Sequence, residues 1–181
     1  TSQDLHIAGH LATSFKGVIV AINKWDLADE LGWDMETVKA AVLGRLKFMD
    51  YVPICVTSAL TGDGINELLK TTRWIYNEWI RWVNHRDLDS IVMRAVADHL
   101  PPKHGSRTLK IYRCKQESTG PPSFIFYCNN PTLVHFSYER YLENVIRNAF
   151  DFQGTPLRLE FRGKGKSHLI GENREGKRLR R

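Results

Sequence analysis

No stretch of this 181-residue chain approaches the roughly 20 apolar residues that cross a bilayer, so no membrane span is expected. Its first residues, Thr1-Ser2-Gln3-Asp4, are polar and lack a basic start, so no signal peptide is read there. Cysteine is scarce: Cys55, Cys114 and Cys128 are an odd number without Cys-x-x-Cys spacing. That argues against a disulfide framework or a zinc site, and for buried reduced thiols in a cytoplasmic protein. His6 and His10 share one helix face, but position 7 is Ile and no third ligand is near, so they read as a solvated face. No Gly-x-x-x-x-Gly-Lys-Ser/Thr run occurs, and no Asp-x-x-Gly precedes Asn23. Neither a phosphate cradle nor a Mg²⁺ site is therefore expected from these residues, and no catalytic residue is assigned. The Gly-x-x-Gly clamp with which KH modules grip RNA is missing as well.

What is present is a contrast in charge. Residues 1–100 hold 10 Lys+Arg against 13 Asp+Glu, whereas residues 101–181 hold 16 against 7. An acidic first half and a basic second half suggest two domains, the second meeting a polyanion. The plainer alternative is solvation with no partner.

The stretch Val18-Ile19-Val20-Ala21-Ile22-Asn23-Lys24-Trp25-Asp26 carries the clearest chemistry. A β-branched apolar run reads as a buried parallel strand, and in open α/β sheets ligands sit beyond the carboxyl ends of strands. The Asp26 carboxylate can accept two parallel hydrogen bonds from guanine, at N1–H and the exocyclic amine, a pair adenine does not offer. Asn23 either bridges to the base edge or ties down neighbouring loops. The aliphatic stem of Lys24 can cover the base face while its ammonium stays wet. A second short strand over residues 51–56 leads into Thr57-Ser58-Ala59-Leu60. There a small residue, Ala59, lets a main-chain N–H approach a base carbonyl oxygen.

The remaining periodicities fill in the elements. Helices are expected over residues 2–14 and 33–48, and over a long stripe from Ile65 to Val83 that includes Trp79. Asp63 is the expected cap of that third helix. At this spacing its tryptophans read as core or as a contact between domains rather than as a stacking platform. Asn84-His85-Arg86-Asp87 breaks the pattern, and a short helix capped by Asp87 runs to Pro101-Pro102. A basic loop (Lys103, His104, Arg107) precedes a strand over 109–115. An aromatic strand over 124–128, a helix capped by Ser137, and a period-two strand over 157–162 complete the order. Residues 163–181 are rich in Gly, Lys and Arg without periodicity and read as a disordered basic tail.

Strand, Asn-Lys-x-Asp, helix, strand, Ser-Ala-Leu, helix is the order found in the later half of P-loop GTPases, and the two loops look like the fourth and fifth G motifs. Followed by a small sheet backed by helices that resembles a KH-like fold, the chain resembles the Der/EngA family of bacterial GTPases over residues 1 to about 164. Asn23-Lys24-Trp25-Asp26-Leu27 and Ser58-Ala59-Leu60-Thr61-Gly62 carry the likeness in the first part. Ser137-Tyr138-x-Arg140-Tyr141-Leu142-x-Asn144 and Phe152-x-Gly154-Thr155-Pro156 carry it in the second.

The resemblance implies an α/β chain. Residues 1–84 would be the guanine-recognition half of a Ras-like G domain without its P-loop, and 85–162 an α+β KH-like domain. Asn23, Lys24 and Asp26 would read guanine, with Ser58, Ala59 and Leu60 as the opposing loop. GTP and GDP would be the ligands of the full-length family, with Mg²⁺ not held by this piece. The implied role is assembly of the large ribosomal subunit, the partners being ribosomal RNA and protein and a preceding G domain. The chain lacks an initiator Met and enters its first helix abruptly, so it reads as a piece of something longer, inert as a GTPase by itself. Lys103, Arg107, Lys164 and Lys166 are the candidate RNA contacts. The alternative reading is a basic KH-like module that holds RNA or a ribosomal protein without dependence on nucleotide.

Overall fold

The apolar run before Asn23 and the one before Thr57 form neighbouring parallel strands, β1 (Val20–Ile22) and β2 (Ile54–Val56). They pair in the register Val20↔Ile54, Ala21↔Cys55, Ile22↔Val56. This comes from a computed structural model that describes residues 2–104 and 107–163. Around the pair stand helices α1 (Ser2–Ser14), α2 (Met35–Arg45) and α3 (Ile65–Trp79). The strands are shorter than their apolar runs because only three residues of each make ladder bonds. Among the described residues β1 has no strand on its other side. An apolar groove of about 600 Å³ is lined by residues of α1, β1 and α2, among them Ile7, Leu11, Val20 and Val42. His6 and His10 both face solvent on α1, and no metal-holding cluster occurs among the described residues.

The later elements are α4 (His85–Asp98), a two-residue antiparallel ladder β3 (Lys103–His104) with β4 (Arg107–Thr108), β5 (Ile111–Ser118), β6 (Ser123–Cys128), α5 (Phe136–Phe150) and β7 (Arg158–Gly163). Strands β5, β6 and β7 form one sheet with β6 central. This is the expected order of helix, strand, strand, helix, strand. The basic loop carries the small β3–β4 ladder in addition.

The chain divides into two compact units. The first comprises Thr1–Val83, Gln116–Phe124 and Arg147–Arg158; the second comprises Asn84–Lys115, Ile125–Ile146 and the described residues from Leu159 onward. In the second unit Leu88, Val92, Phe126, Cys128, Leu142 and Ile146 are wholly buried. Two tyrosines of α5 serve the end of α4: Tyr138 Oη donates to the His99 carbonyl (2.9 Å) and Tyr141 Oη to that of Ala95 (3.0 Å). The His99 carbonyl at the helix end gains a donor it would otherwise lack, whereas the Ala95 carbonyl, which already accepts from the His99 N–H at 2.9 Å, takes Tyr141 as a second donor. Burial, with Tyr141 adding to it, pushes the Tyr138 hydroxyl up to about 12. All three cysteines lie in strands, buried and unpaired, as the scarcity of thiols suggested. Burial, reinforced by Asp89, holds the Cys114 thiol far above its ordinary range, so it stays protonated.

Three caps differ from expectation. Asn84, not Asp87, caps α4, its side chain accepting from the Arg86 and Asp87 N–H groups. At the start of α5 the His135 ring accepts from the Ser137 N–H at 3.2 Å. Helix α3 begins from Gly64 at φ 71°, where a Cβ would lie 2.0 Å from the Val56 carbonyl oxygen. Only glycine fits that approach. Asp63 therefore stays outside the helix and accepts from Thr61 Oγ1 at 2.7 Å instead.

Candidate functional site: two loops at the ends of parallel strands

Parallel strands bring their carboxyl ends to one edge, so the loops after Ile22 and Val56 leave side by side. Backbone bonds then lock them. The Thr57 N–H donates to the Ile22 carbonyl (2.9 Å) and the Trp25 N–H to that of Thr57 (3.1 Å). Between these contacts Lys24 takes a left-handed conformation, φ 65° and ψ 37°. That reversal is uncommon for a side chain larger than Asn or Asp, and such backbone clusters at ligand sites. It feeds a single 3-10 turn, Trp25–Leu27, which carries Asp26.

Side chains close the gap. Asp26 Oδ1 accepts from Ser58 Oγ at 2.5 Å, and Asn23 Oδ1 accepts from the Ala59 N–H at 3.1 Å. Ser58, 1% exposed, also receives the Thr61 N–H on its hydroxyl oxygen (3.2 Å). Four of the six residues singled out from the sequence are thus brought together: Asn23, Asp26, Ser58 and Ala59. Lys24 and Leu60 reach out instead; Leu60 is 85% exposed. Of the two roles left open for Asn23, its carbonyl oxygen takes the loop-tying one. Asp26 is exposed and its Oδ2 oxygen takes no partner among the described residues, so the carboxylate keeps acceptor capacity for paired donors.

Two residues not singled out belong to this arrangement. Thr57, 3% exposed, makes both backbone locks, and Asp63 accepts from the Ser58 N–H through its carbonyl (2.9 Å). Main-chain partners leave no trace in residue type, so only the place of Thr57 directly after an apolar run hinted at its part.

The comparisons with known proteins fall on the same chain. The family model described as "KH-domain-like of EngA bacterial GTPase enzymes, C-terminal" matches residues 83–162. The GTPase Der of Halothermothrix orenii is 41% identical over 164 residues, covering 91% of this chain and 37% of that protein. The GTPase Der of Clostridium perfringens is 37% identical over the same shares, and that of Fusobacterium nucleatum is 39% identical over 91% of this chain and 38% of its own. The chain belongs to the Der/EngA family. It spans a little over a third of the length of these relatives. In this Der/EngA chain, Lys103 and Arg107 stand on the β3–β4 ladder of the second unit, where Lys103 pairs with Thr108 and His104 with Arg107. Arg107 is exposed. Lys164 and Lys166, with the rest of the basic tail, lie outside the described residues. No described helix is long and apolar enough to cross a membrane.

Proposed function

We propose that this chain supplies the guanine-recognition loops and the KH-like domain of a GTP-binding protein that acts in the cytoplasm on assembly of the large ribosomal subunit. Residues 1–84 are read as the G-domain part and 85–162 as the KH-like part. The observation that carries the reading is the pairing of Asp26 with Ser58 and of Asn23 with Ala59 across the two loops. This holds one carboxylate at the strand exit, with Oδ2 and the remaining lone pair of Oδ1 as the acceptors for N1–H and the exocyclic amine of guanine. Lys24, exposed, is read as the cover of a base face, with Leu60, also exposed, in the opposing loop. The phosphates of GTP or GDP, and Mg²⁺, are read as held by residues other than these 181, which contain no phosphate-cradling motif. Affinity of this chain alone is therefore weak, and it turns over no GTP.

The test is base selectivity rather than turnover. Titration of isotope-labelled chain with GDP, ADP and xanthosine diphosphate should move the Asn23 and Ala59 amide resonances with GDP and not with ADP. Xanthine carries a carbonyl where guanine carries the amine, so Asp26→Asn should exchange the preference, favouring xanthosine diphosphate by about tenfold, the worth of one reversed hydrogen bond. Equal responses to guanine and adenine nucleotides would defeat the assignment.

A second reading is favoured by the charge contrast: the basic second half holds ribosomal RNA or a protein surface without reference to nucleotide. Lys103, Arg107, Lys164 and Lys166 are then the contacts. Phosphate contacts of this kind predict an affinity for RNA that falls steeply as salt rises. Binding indifferent to salt would count against it.

A further inference from the structure

The two strands that carry the guanine loops are three residues long each, too short for their own ladder to hold them in register. Their carboxyl ends are tied by Thr57, Trp25 and Asn23 as described. Their amino-terminal ends are tied by a residue more than a hundred positions from β1 in sequence. The Val18 N–H donates to the Gly154 carbonyl at 2.8 Å, and the Gly154 N–H donates to the Tyr51 carbonyl at 2.6 Å. One peptide position thus bridges the entrance of β1 and the entrance of β2. All of these residues belong to the first unit.

The position admits only glycine. Gly154 sits at φ 67°, and a Cβ there would lie 2.5 Å from Ile75 Cδ1 and 2.6 Å from Cγ1. Ile75 is the one residue of α3 that is buried, so it has little room to withdraw. The segment is then pressed into place by cations. Arg147 donates to the Phe152 and Thr155 carbonyls (3.2 and 3.0 Å) and lies 4.0 Å over the ring of Tyr51. Arg158 stands 4.5 Å over Phe15, and Arg81 stands 4.4 Å over Phe152 while donating to the Phe150 carbonyl. Cation–ring contacts of this kind add to hydrogen bonds made by the same guanidinium.

We propose that Gly154 is a positioning residue for the base-recognition loops. By tying the entrances of β1 and β2 it sets their relative register, and so sets whether Asn23 meets Ala59 and Asp26 meets Ser58 at the exits. A strand pair fixed at both ends cannot slip, whereas a slip of one residue would turn every side chain to the other face. Its meaning for function rests on the guanine reading above; the mechanical claim does not. Linkage then makes the coupling reciprocal: a ligand that favours the ordered loops also favours docking of residues 147–158.

The experiment is amide hydrogen exchange on the whole chain, with and without GDP, for wild type, Gly154→Ala, Gly154→Ala with Ile75→Ala, and Arg147→Gln. Gly154→Ala should speed exchange of the Thr57 and Trp25 amides by about tenfold or more while the Phe126 and Leu142 amides of the second unit keep their protection. Removing the Ile75 side chain should restore part of the Thr57 protection, because it removes the atoms that the new Cβ strikes. Arg147→Gln adds no Cβ and tests the same docking should Gly154→Ala fail to fold. It should loosen the same loop amides by a smaller factor and weaken the GDP-induced shift at Ala59. Unchanged Thr57 and Trp25 exchange in a folded variant whose Val18 amide has been freed would overturn the proposal. So would loosened loops that answer GDP as the wild type does. The exchange arm decides the mechanical claim even where wild type gives no GDP response at Ala59, a result that counts against the guanine reading alone.

Discussion

In the second unit, α4, α5 and β6 place Leu88, Val92, Phe126, Leu142 and Ile146 wholly out of water, whereas in the first, α2 buries no residue and α3 only Ile75. The first unit does bury Met49, Phe124 and Phe152, but the parts that carry the loops are joined by polar and backbone bonds between segments far apart in sequence: Asn23 with Ala59, Asp26 with Ser58, Gly154 with Val18 and Tyr51. Hydrophobic burial is non-directional and tolerates small shifts; a hydrogen bond fixes geometry to tenths of an ångström. A region that must present two loops at a set spacing gains from the second means. A region that must simply stay folded gains from the first.

The sharpest way to break this contrast is to remove one large side chain from each region. Phe126→Ala empties a fully buried site and should cost about 3–5 kcal/mol. Leu69→Ala, on a helix residue 63% exposed, should change stability by less than about 0.5 kcal/mol. Urea unfolding followed by circular dichroism reads both. Equal losses would mean that an outward side chain of α3 is worth as much as a buried one of the second unit. Next in size is Ser58→Ala. It takes the hydroxyl from both Asp26 and the Thr61 N–H at a site 1% exposed, and should cost about 1–3 kcal/mol. It should also blunt any preference for guanine over adenine in the titration above, a readout that loss of core packing would leave alone. Unchanged stability and unchanged preference would remove Ser58 from the site.

How much could be read in advance followed the same divide. Continuous apolar runs before Asn23 and Thr57 announced two buried strands, and the spacing of Leu88, Val92, Tyr141, Leu142 and Ile146 announced two helices, because burial writes itself into residue type. That the loops of Asn23 and Ala59 belong to one site was legible from the order of two loops after two strands, but which of its two roles Asn23 takes was not. The caps were less so: Asp63 and Asp87 have capping chemistry, yet the neighbours Gly64 and Asn84 hold the starting positions. The part of Gly154 was not legible from periodicity at all. Its bonds to Val18 and Tyr51 are made by main-chain atoms that every residue possesses, and only the requirement for φ 67° shows in the letter G. The same holds for Thr57, whose two locks are peptide groups.

The smallest expected change sharpens the comparison from the opposite side. Thr155 is 0% exposed, and its Oγ1 has no hydrogen-bond partner among the described residues, although its carbonyl accepts from Arg147. A buried hydroxyl without a partner lowers stability, since it left water and received nothing in exchange. Thr155→Val keeps the shape and removes the oxygen, so it should stabilise the chain by about 1 kcal/mol, read as a higher urea midpoint with an unchanged slope. Because the backbone of residue 155 is untouched, the Thr57 and Trp25 amides should keep their protection. A loss of stability instead would mean that the hydroxyl is served by a buried water, and that the polar web of the first unit extends one bond further into the Gly-Thr-Pro segment.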